Sequence, residues 1–166
     1  MVDRKTEKYL KQIHSLSEAS FQYDDASKQW GCKSGIYAIW GNKKLADILR
    51  RKSIFLHTSK THNANQEVEL SFAKAIGQAV KIKGKFCLYV GKTVDFEKRQ
   101  KIRRFEKLLK PQNETGKALL GSTTLKELKD MLAVSFIKEK KWIDRFFLEN
   151  IAIGLLRPVL NTQPER

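Results

Sequence analysis

The sequence is short of cysteine, of acidic residues and of long apolar runs, and each shortage excludes a class of protein. Its two cysteines, Cys32 and Cys87, are too far apart in the sequence for a metal-ligand or redox pair, and Cys87 is expected to be a small buried side chain. No stretch approaches the roughly 20 consecutive apolar residues of a membrane span, and the N-terminal MVDRKTEKYL lacks the apolar centre of a secretory signal. We therefore expect a cytoplasmic protein that does not cross a membrane.

The shortage of acidic residues leaves a strongly basic chain. Lysine and arginine total 33 against 18 aspartates and glutamates, which gives a formal net charge of +15 and a pI near 9.9. Such an excess attracts polyanions and makes their binding salt-dependent, so nucleic acid is the leading partner and a membrane surface the weaker alternative. At 166 residues, 41% of them hydrophobic, the chain is long enough for one globular domain with its own core.

Apolar periodicity predicts an α+β organisation. Strands are predicted at SGIYAIW (residues 34–40), at KFCLYVGK (residues 85–92) and at Val134–Ile137, with a further candidate at Ile54–His57. Helices are predicted over Lys43–Lys52, Glu67 to about Val80, Phe96–Lys110, Thr124–Leu132 and Trp142–Leu156. The polar residues Thr58–Gln66 are expected to form a loop.

These elements predict one main domain preceded by an extension. Residues 1–30 contain Leu10, Ile13 and Leu16 at helical spacing and are expected to form an N-terminal extension that makes DNA or dimer contacts. Residues 31–166 are expected to form a single domain with a helical insertion at residues 42–84, between its first two strands.

Glu149 is the most informative single residue. The last predicted helix contains FFLENIAIGLL, in which Glu149 and Asn150 are the only polar members. A helix that is apolar on nearly all faces is a buried one, and a buried carboxylate must be paired or coordinated. Two interpretations stay open: an internal salt bridge to Arg99 or Arg145, or a divalent-cation ligand in a cleft, where an oxygen ligand suits Mg²⁺.

Five motif elements in order resemble the GIY-YIG nuclease superfamily. Gly35-Ile36-Tyr37 matches the first motif of that superfamily and Tyr89-Val90-Gly91 the second, with Val in place of Ile. Arg99 stands where the family has its arginine, and Glu149 followed by Asn161 matches the closing pattern. The match spans residues 35–161. The resemblance implies a small three-stranded antiparallel sheet flanked by helices.

The same resemblance implies a site and a metal. Glu149 would bind one Mg²⁺, with Mn²⁺ as a substitute, at the scissile phosphate. Tyr37 would act as general base or hold the attacking water, which for a phenol requires a nearby cation at neutral pH. Tyr89 would position water or phosphate, Arg99 would stabilise developing negative charge, and Asn161 would order the site.

The chain departs from the family pattern at two places. Tyr37 and Tyr89 are 52 positions apart, whereas compact members have only a short hairpin turn there, so the insertion is special to this chain. Arg103 stands one helical turn after Arg99, where members often have His or Tyr. Because a guanidinium stays protonated, Arg103 can bind phosphate but cannot accept a proton.

Double-stranded DNA is the expected substrate, and a set of basic and polar residues is expected to contact it. Arginine and lysine suit backbone phosphates, while histidine and asparagine can contact base edges in a groove. The candidates are Lys92, Lys98, Arg103, Arg104, Arg50, Arg51, His57, His62, Asn63 and Asn65. The expected function is a divalent-metal-dependent DNA endonuclease that hydrolyses phosphodiester bonds, restriction-type and site-specific, with a homodimer suited to a palindromic target. The alternatives are a structure-specific repair, recombination or phage nicking nuclease, and an inactive DNA-binding module.

Overall fold

The structure is a computed structural model in which part of the chain is described. The described residues are 4–18, 21–22, 30–31, 33–51, 53–57, 67–95 and 124–161. The predicted helix Phe96–Lys110 and the predicted loop Thr58–Gln66 lie outside these residues.

The described chain contains a five-stranded antiparallel sheet. Its strands are β1 (Phe21–Gln22), β2 (Gly35–Gly41), β5 (Lys81–Ile82), β6 (Lys85–Thr93) and β7 (Leu132–Lys138). They lie in the order β1-β7-β2-β6-β5, so the three predicted strands form the centre, and the α+β class is confirmed. The expected count of three strands is wrong because β1 and β5 extend the two edges. Each edge strand has two residues, too few to show a period-2 pattern in the sequence.

The insertion between β2 and β6 is mixed rather than helical. It contains α2 (Lys43–Leu49), β3 (Ser53–His57), β4 (Glu67–Ser71), α3 (Phe72–Gln78) and β5. Strands β3 and β4 pair antiparallel as a separate two-stranded sheet. The helix predicted from Glu67 is therefore wrong in its first five residues, where the alternation of EVELS has the period of a strand.

Helices cover both faces of the central sheet. Side chains alternate along β2, so Tyr37 and Ile39 face one side while Ile36, Ala38 and Trp40 face the other. The Tyr37 side packs against α2, α3 and α4 (Leu125–Asp130), and the opposite side packs against α1 (Arg4–Glu18) and α5 (Trp142–Leu156). Two apolar layers therefore enclose the central strands, and every residue of β2 is buried.

The N-terminal helix α1 is part of this core. Ile13 and Leu16 are buried as their spacing predicts, but the third buried side chain is Tyr9, whereas Leu10 is exposed. Helix α1 packs on the same sheet face as α5, and β1 continues the sheet beside β7. The predicted extension thus contributes both a helix and a short strand to the domain.

Helix α5 has the predicted bounds but not the predicted burial. It ends at Leu156, and its C-cap residue Arg157, with a left-handed backbone (φ 47°), precedes Pro158. Leu148, Ala152 and Leu156 are buried against the sheet, whereas Trp142, Phe146 and Phe147 are exposed. The expectation that this helix is buried on nearly all sides is therefore wrong, because one apolar stripe is enough to pack against the sheet.

Candidate active site

The glycines of the two tripeptide motifs allow close packing between neighbouring strands. A methyl group added to Gly35 would lie 1.9 Å from the carbonyl oxygen of Ile137 on β7. A methyl group added to Gly91 would lie 2.4 Å from the Tyr37 hydroxyl. Tyr37 is directly opposite Gly91 in the β2–β6 register, so its phenol extends across the glycine. Each motif glycine is explained by a neighbour that occupies the space of a side chain.

The two motif tyrosines lie on the same sheet face and contact each other. Their ring centroids are 5.9 Å apart, with an angle of 42° between the ring planes. Tyr37 is 1% exposed, whereas Tyr89 is partly exposed. Tyr37 is thus a packed side chain whose hydroxyl lies at the backbone of β6, and Tyr89 is the more accessible phenol of the pair.

Asn161 pairs with the outer edge of strand β6 through its side chain. Its amide oxygen accepts from the Val90 N–H at 2.7 Å, and its amide nitrogen donates to the Val90 carbonyl at 2.8 Å. The preceding residues, Val159 and Leu160, donate their N–H groups to the carbonyls of Cys87 and Leu88. The C-terminal segment is therefore held along β6 by hydrogen bonds, and the Asn161 amide satisfies both backbone groups of Val90.

Glu149 accepts a hydrogen bond from Lys92, which is two residues after Val90 on the same edge of β6. Because backbone groups of an antiparallel strand alternate in direction, the N–H of Lys92 points the same way as that of Val90. It donates to Glu149 Oε1 at 3.1 Å, and the Lys92 ammonium also pairs with Oε2. Positions two residues apart on a strand, such as Val90 and Lys92, are separated by about 6.6 Å. Glu149 and Asn161 therefore lie side by side along this edge.

The partner of Glu149 differs from the two arginines that the sequence suggested. Arg145 is buried and donates to the carbonyl oxygens of Glu139 and Lys140, while Arg99 lies outside the described residues. The Glu149 side chain is 16% exposed and that of Lys92 is 42% exposed. The ammonium also lies over the Phe146 ring, 5.4 Å from its centroid. The expected salt bridge to Arg145 is therefore wrong, and a lysine from β6 takes its place.

The donor set at Glu149 fits a hydrated Mg²⁺ better than a metal held by protein alone. Among the described residues, no group of three or more His, Cys, Asp or Glu side chains could together hold a metal ion. Mg²⁺ keeps several waters and commonly takes one or two carboxylates together with substrate phosphate oxygens. A single, slightly exposed carboxylate is compatible with that mode, provided that the Lys92 ammonium leaves Oε2.

The predicted DNA-contacting residues are only partly described. Arg50 and Arg51 follow α2 on the Tyr37 side of the sheet, and Arg50 pairs with Asp47 at 3.4 Å. His57 is the last residue of β3, of which only the backbone is described. The other candidates lie outside the described residues: Lys98, Arg103, Arg104, His62, Asn63 and Asn65.

Lys92 is the residue whose role sequence reasoning missed. The sequence predicts Lys92 as a DNA contact, yet in the structure it provides both the backbone and the side-chain partner of Glu149. One sequence signal could have suggested this role: Lys92 lies in a mostly apolar strand whose other charged residue is Lys85, and it faces the side opposite Tyr89 and Gly91. Its pairing with a residue 57 positions later is a tertiary contact that no local pattern encodes.

An apolar pocket of about 540 Å³ lies away from this site, where α1, β5 and α5 meet. Its lining includes Leu10, Ile13, Val80, Ile82 and Leu155. Neither Glu149 nor the motif tyrosines line it, so the polar edge of β6 is the better candidate for chemistry.

Comparison of the chain with protein-family models, curated proteins and solved structures finds no match. None of the described helices is long and apolar enough to cross a membrane.

Proposed function

We propose that this protein is a divalent-metal-dependent DNA endonuclease of the GIY-YIG type. The observation that supports this most is that the motif residues come together on strand β6. Tyr37 of the first motif lies over Gly91 of the second. Glu149 and Asn161 bind backbone groups of Lys92 and Val90, two residues apart on the same strand. The antiparallel arrangement β7-β2-β6 agrees with the small sheet of that fold. The net charge of +15 suits a polyanionic substrate.

Each residue of the candidate site has a role in this proposal. The Glu149 carboxylate would hold the cation, which when bound supplies Lewis acidity and charge neutralisation at the scissile phosphate. Tyr37 in its deprotonated form, which requires a nearby cation, would take a proton from the attacking water. Tyr89, the more exposed phenol, would orient water or phosphate. Asn161 would keep β6 and the C-terminal segment in register, so that Glu149 stays at the edge of the strand that carries Tyr89. Arg99 is proposed to stabilise the charge that develops on the phosphate.

Cleavage assays test the proposal directly. Supercoiled plasmid, linear duplex and branched DNA are incubated with the protein and Mg²⁺ or with a chelator, and the ends are sequenced. We expect cleavage that requires Mg²⁺; a fixed cut position on duplex DNA indicates a site-specific, restriction-type enzyme. Preference for branched substrates would indicate a repair, recombination or nicking nuclease instead. If the wild type cuts none of these DNAs, the nuclease proposal is wrong.

Substitution of Glu149 is the sharper experiment. Glu149→Gln keeps the size of the side chain but removes its charge, and we expect cleavage to fall by about 100-fold or more while DNA binding persists. The matched control is Glu139→Gln, in the loop before α5, which should cleave like the wild type. Equal cleavage by Glu149→Gln and the wild type would contradict the assigned role of this carboxylate.

One observation favours the alternative of an inactive DNA-binding module. Glu149 already has a cationic partner in Lys92, which satisfies the carboxylate without a metal. That alternative predicts salt-dependent DNA binding with no cleavage, and binding that is unchanged by Mg²⁺. The same assays, run with and without the metal, separate the two functions.

A further inference from the structure

Lys92 contacts both oxygens of the Glu149 carboxylate, but through two groups that differ in freedom. The backbone N–H donates to Oε1 at 3.1 Å from a position that strand β6 fixes. The ammonium binds Oε2 at the end of a flexible four-carbon stem. One oxygen is therefore held by the fold, whereas the other is held by a group that can rotate away.

The ammonium lies between a mostly buried carboxylate and the solvent. Lys92 is 42% exposed against 16% for Glu149, and its nitrogen lies above the partly exposed ring of Phe146. A polyanion at this surface can attract the ammonium without entering the core. A divalent cation at Oε2 would meet like-charge repulsion as long as the ammonium remains there.

We propose that Lys92 couples DNA binding to cation binding at Glu149, an inference that rests on the proposed function. Without DNA, the ammonium occupies Oε2 and competes with the cation. A DNA phosphate draws the ammonium to itself, and Oε2 becomes available while the Lys92 N–H keeps Oε1 in position. Because coupling between two binding sites is reciprocal, the cation must raise DNA affinity by the same factor by which DNA raises cation affinity.

Calorimetric titration with Ca²⁺ tests the competition without DNA. We expect Lys92→Met to bind Ca²⁺ about 5-fold or more tightly than the wild type, within the usual range of such couplings. Glu149→Gln should lose the site. The charge-matched control is Lys81→Met, about 20 Å away along β6 by strand rise, which should behave as wild type. Equal affinities of Lys92→Met and the wild type would overturn the inference, as would retained binding in Glu149→Gln.

Repeating the titration with a 20-base-pair duplex at low salt tests the coupling. DNA should raise the Ca²⁺ affinity of the wild type by about 5-fold or more and that of Lys92→Met by clearly less. A similar gain in both proteins would overturn the inference even if the wild type cleaves DNA with Mg²⁺. The expected Ca²⁺ pattern in a protein that cleaves nothing would leave the coupling intact and overturn only the nuclease proposal.

Discussion

Glycine is required at position 91 because of a neighbouring side chain rather than because of its own backbone conformation. Among the described glycines, only Gly31 and Gly84 have a positive φ, so Gly91 is not needed for an unusual chain direction. It is needed because the Tyr37 hydroxyl occupies the place of its side chain. At the scale of single residues, the glycine of one motif and the tyrosine of the other are therefore a matched pair.

Gly91→Ala tests this pair. The added methyl would overlap the Tyr37 ring in a fully packed layer, so we expect a loss of about 1–3 kcal/mol in the free energy of unfolding. Gly154→Ala in α5 is the control, because no described atom beyond its own helix turn lies within 4 Å of the added methyl. That change should stabilise the protein by about 0.5–1 kcal/mol. Urea unfolding measures both, and equal effects would contradict the packing argument.

At the scale of elements, a polar contact joins α1 to the start of α5. The Tyr9 hydroxyl donates to Asp144 Oδ1 at 2.6 Å, and the Lys5 ammonium lies 3.3 Å from the same oxygen. The hydrogen bond from Tyr9 is the largest cause that lowers the pKa of the Asp144 carboxyl, and the ion pair with Lys5 adds to it. Two helices that share a sheet face are thus also joined by an ionised carboxylate.

This contact predicts a loss of stability in acid. Because the pKa of Asp144 is lower in the folded state, its contribution is complete above the unfolded-state pKa of about 3.9. This stabilising contribution is lost as the pH falls through the pKa that Asp144 has in the folded state. We expect the difference in unfolding free energy between the wild type and Asp144→Asn to be largest near neutral pH and to shrink below about pH 4. Asp47→Asn, in an exposed ion pair, is the control; a pH-independent difference for Asp144→Asn would contradict the assignment.

At the scale of the whole molecule, the N-terminal helix belongs to the same core as the candidate site. Leu16 is 1% exposed and packs in the layer that contains Leu148 of α5. Glu149 follows Leu148 directly, so whatever holds α5 on the sheet also holds the carboxylate at the edge of β6. We infer that the first helix supports the site mechanically, in addition to any contact that it makes with DNA or a second copy.

Leucine substitutions on α1 measure this support. Leu16→Ala should lower the free energy of unfolding by about 2–5 kcal/mol, since it leaves a cavity in the core. Leu10→Ala, on the same helix but 41% exposed, should change it by less than about 1 kcal/mol. Thermal or urea unfolding gives both values. A Leu16→Ala protein as stable as the wild type would show that α1 is a detachable extension.

Some of the fold and the site follows from local sequence patterns. The three central strands are marked by β-branched and aromatic runs, and the bounds of α5 by its apolar stretch and by Pro158. The edge strands and β4 do not follow from local patterns, since a two-residue strand has no periodicity and EVELS is included in a predicted helix. Strand β3, in contrast, matches the candidate strand predicted at Ile54–His57. The motif residues could be listed from the sequence, but their spatial arrangement could not.

The sequence by itself determined the α+β class, the basic charge and the order of the motif residues, because these depend on composition and on short-range periodicity. Only the tertiary structure decided which side chains meet. It places Tyr37 over Gly91, Asn161 on Val90 and Lys92 on Glu149, pairs that are separated by 54 to 71 positions in the chain. The physical reason is that strand register and helix docking set these contacts, and both result from burying two apolar layers at once rather than from any local preference.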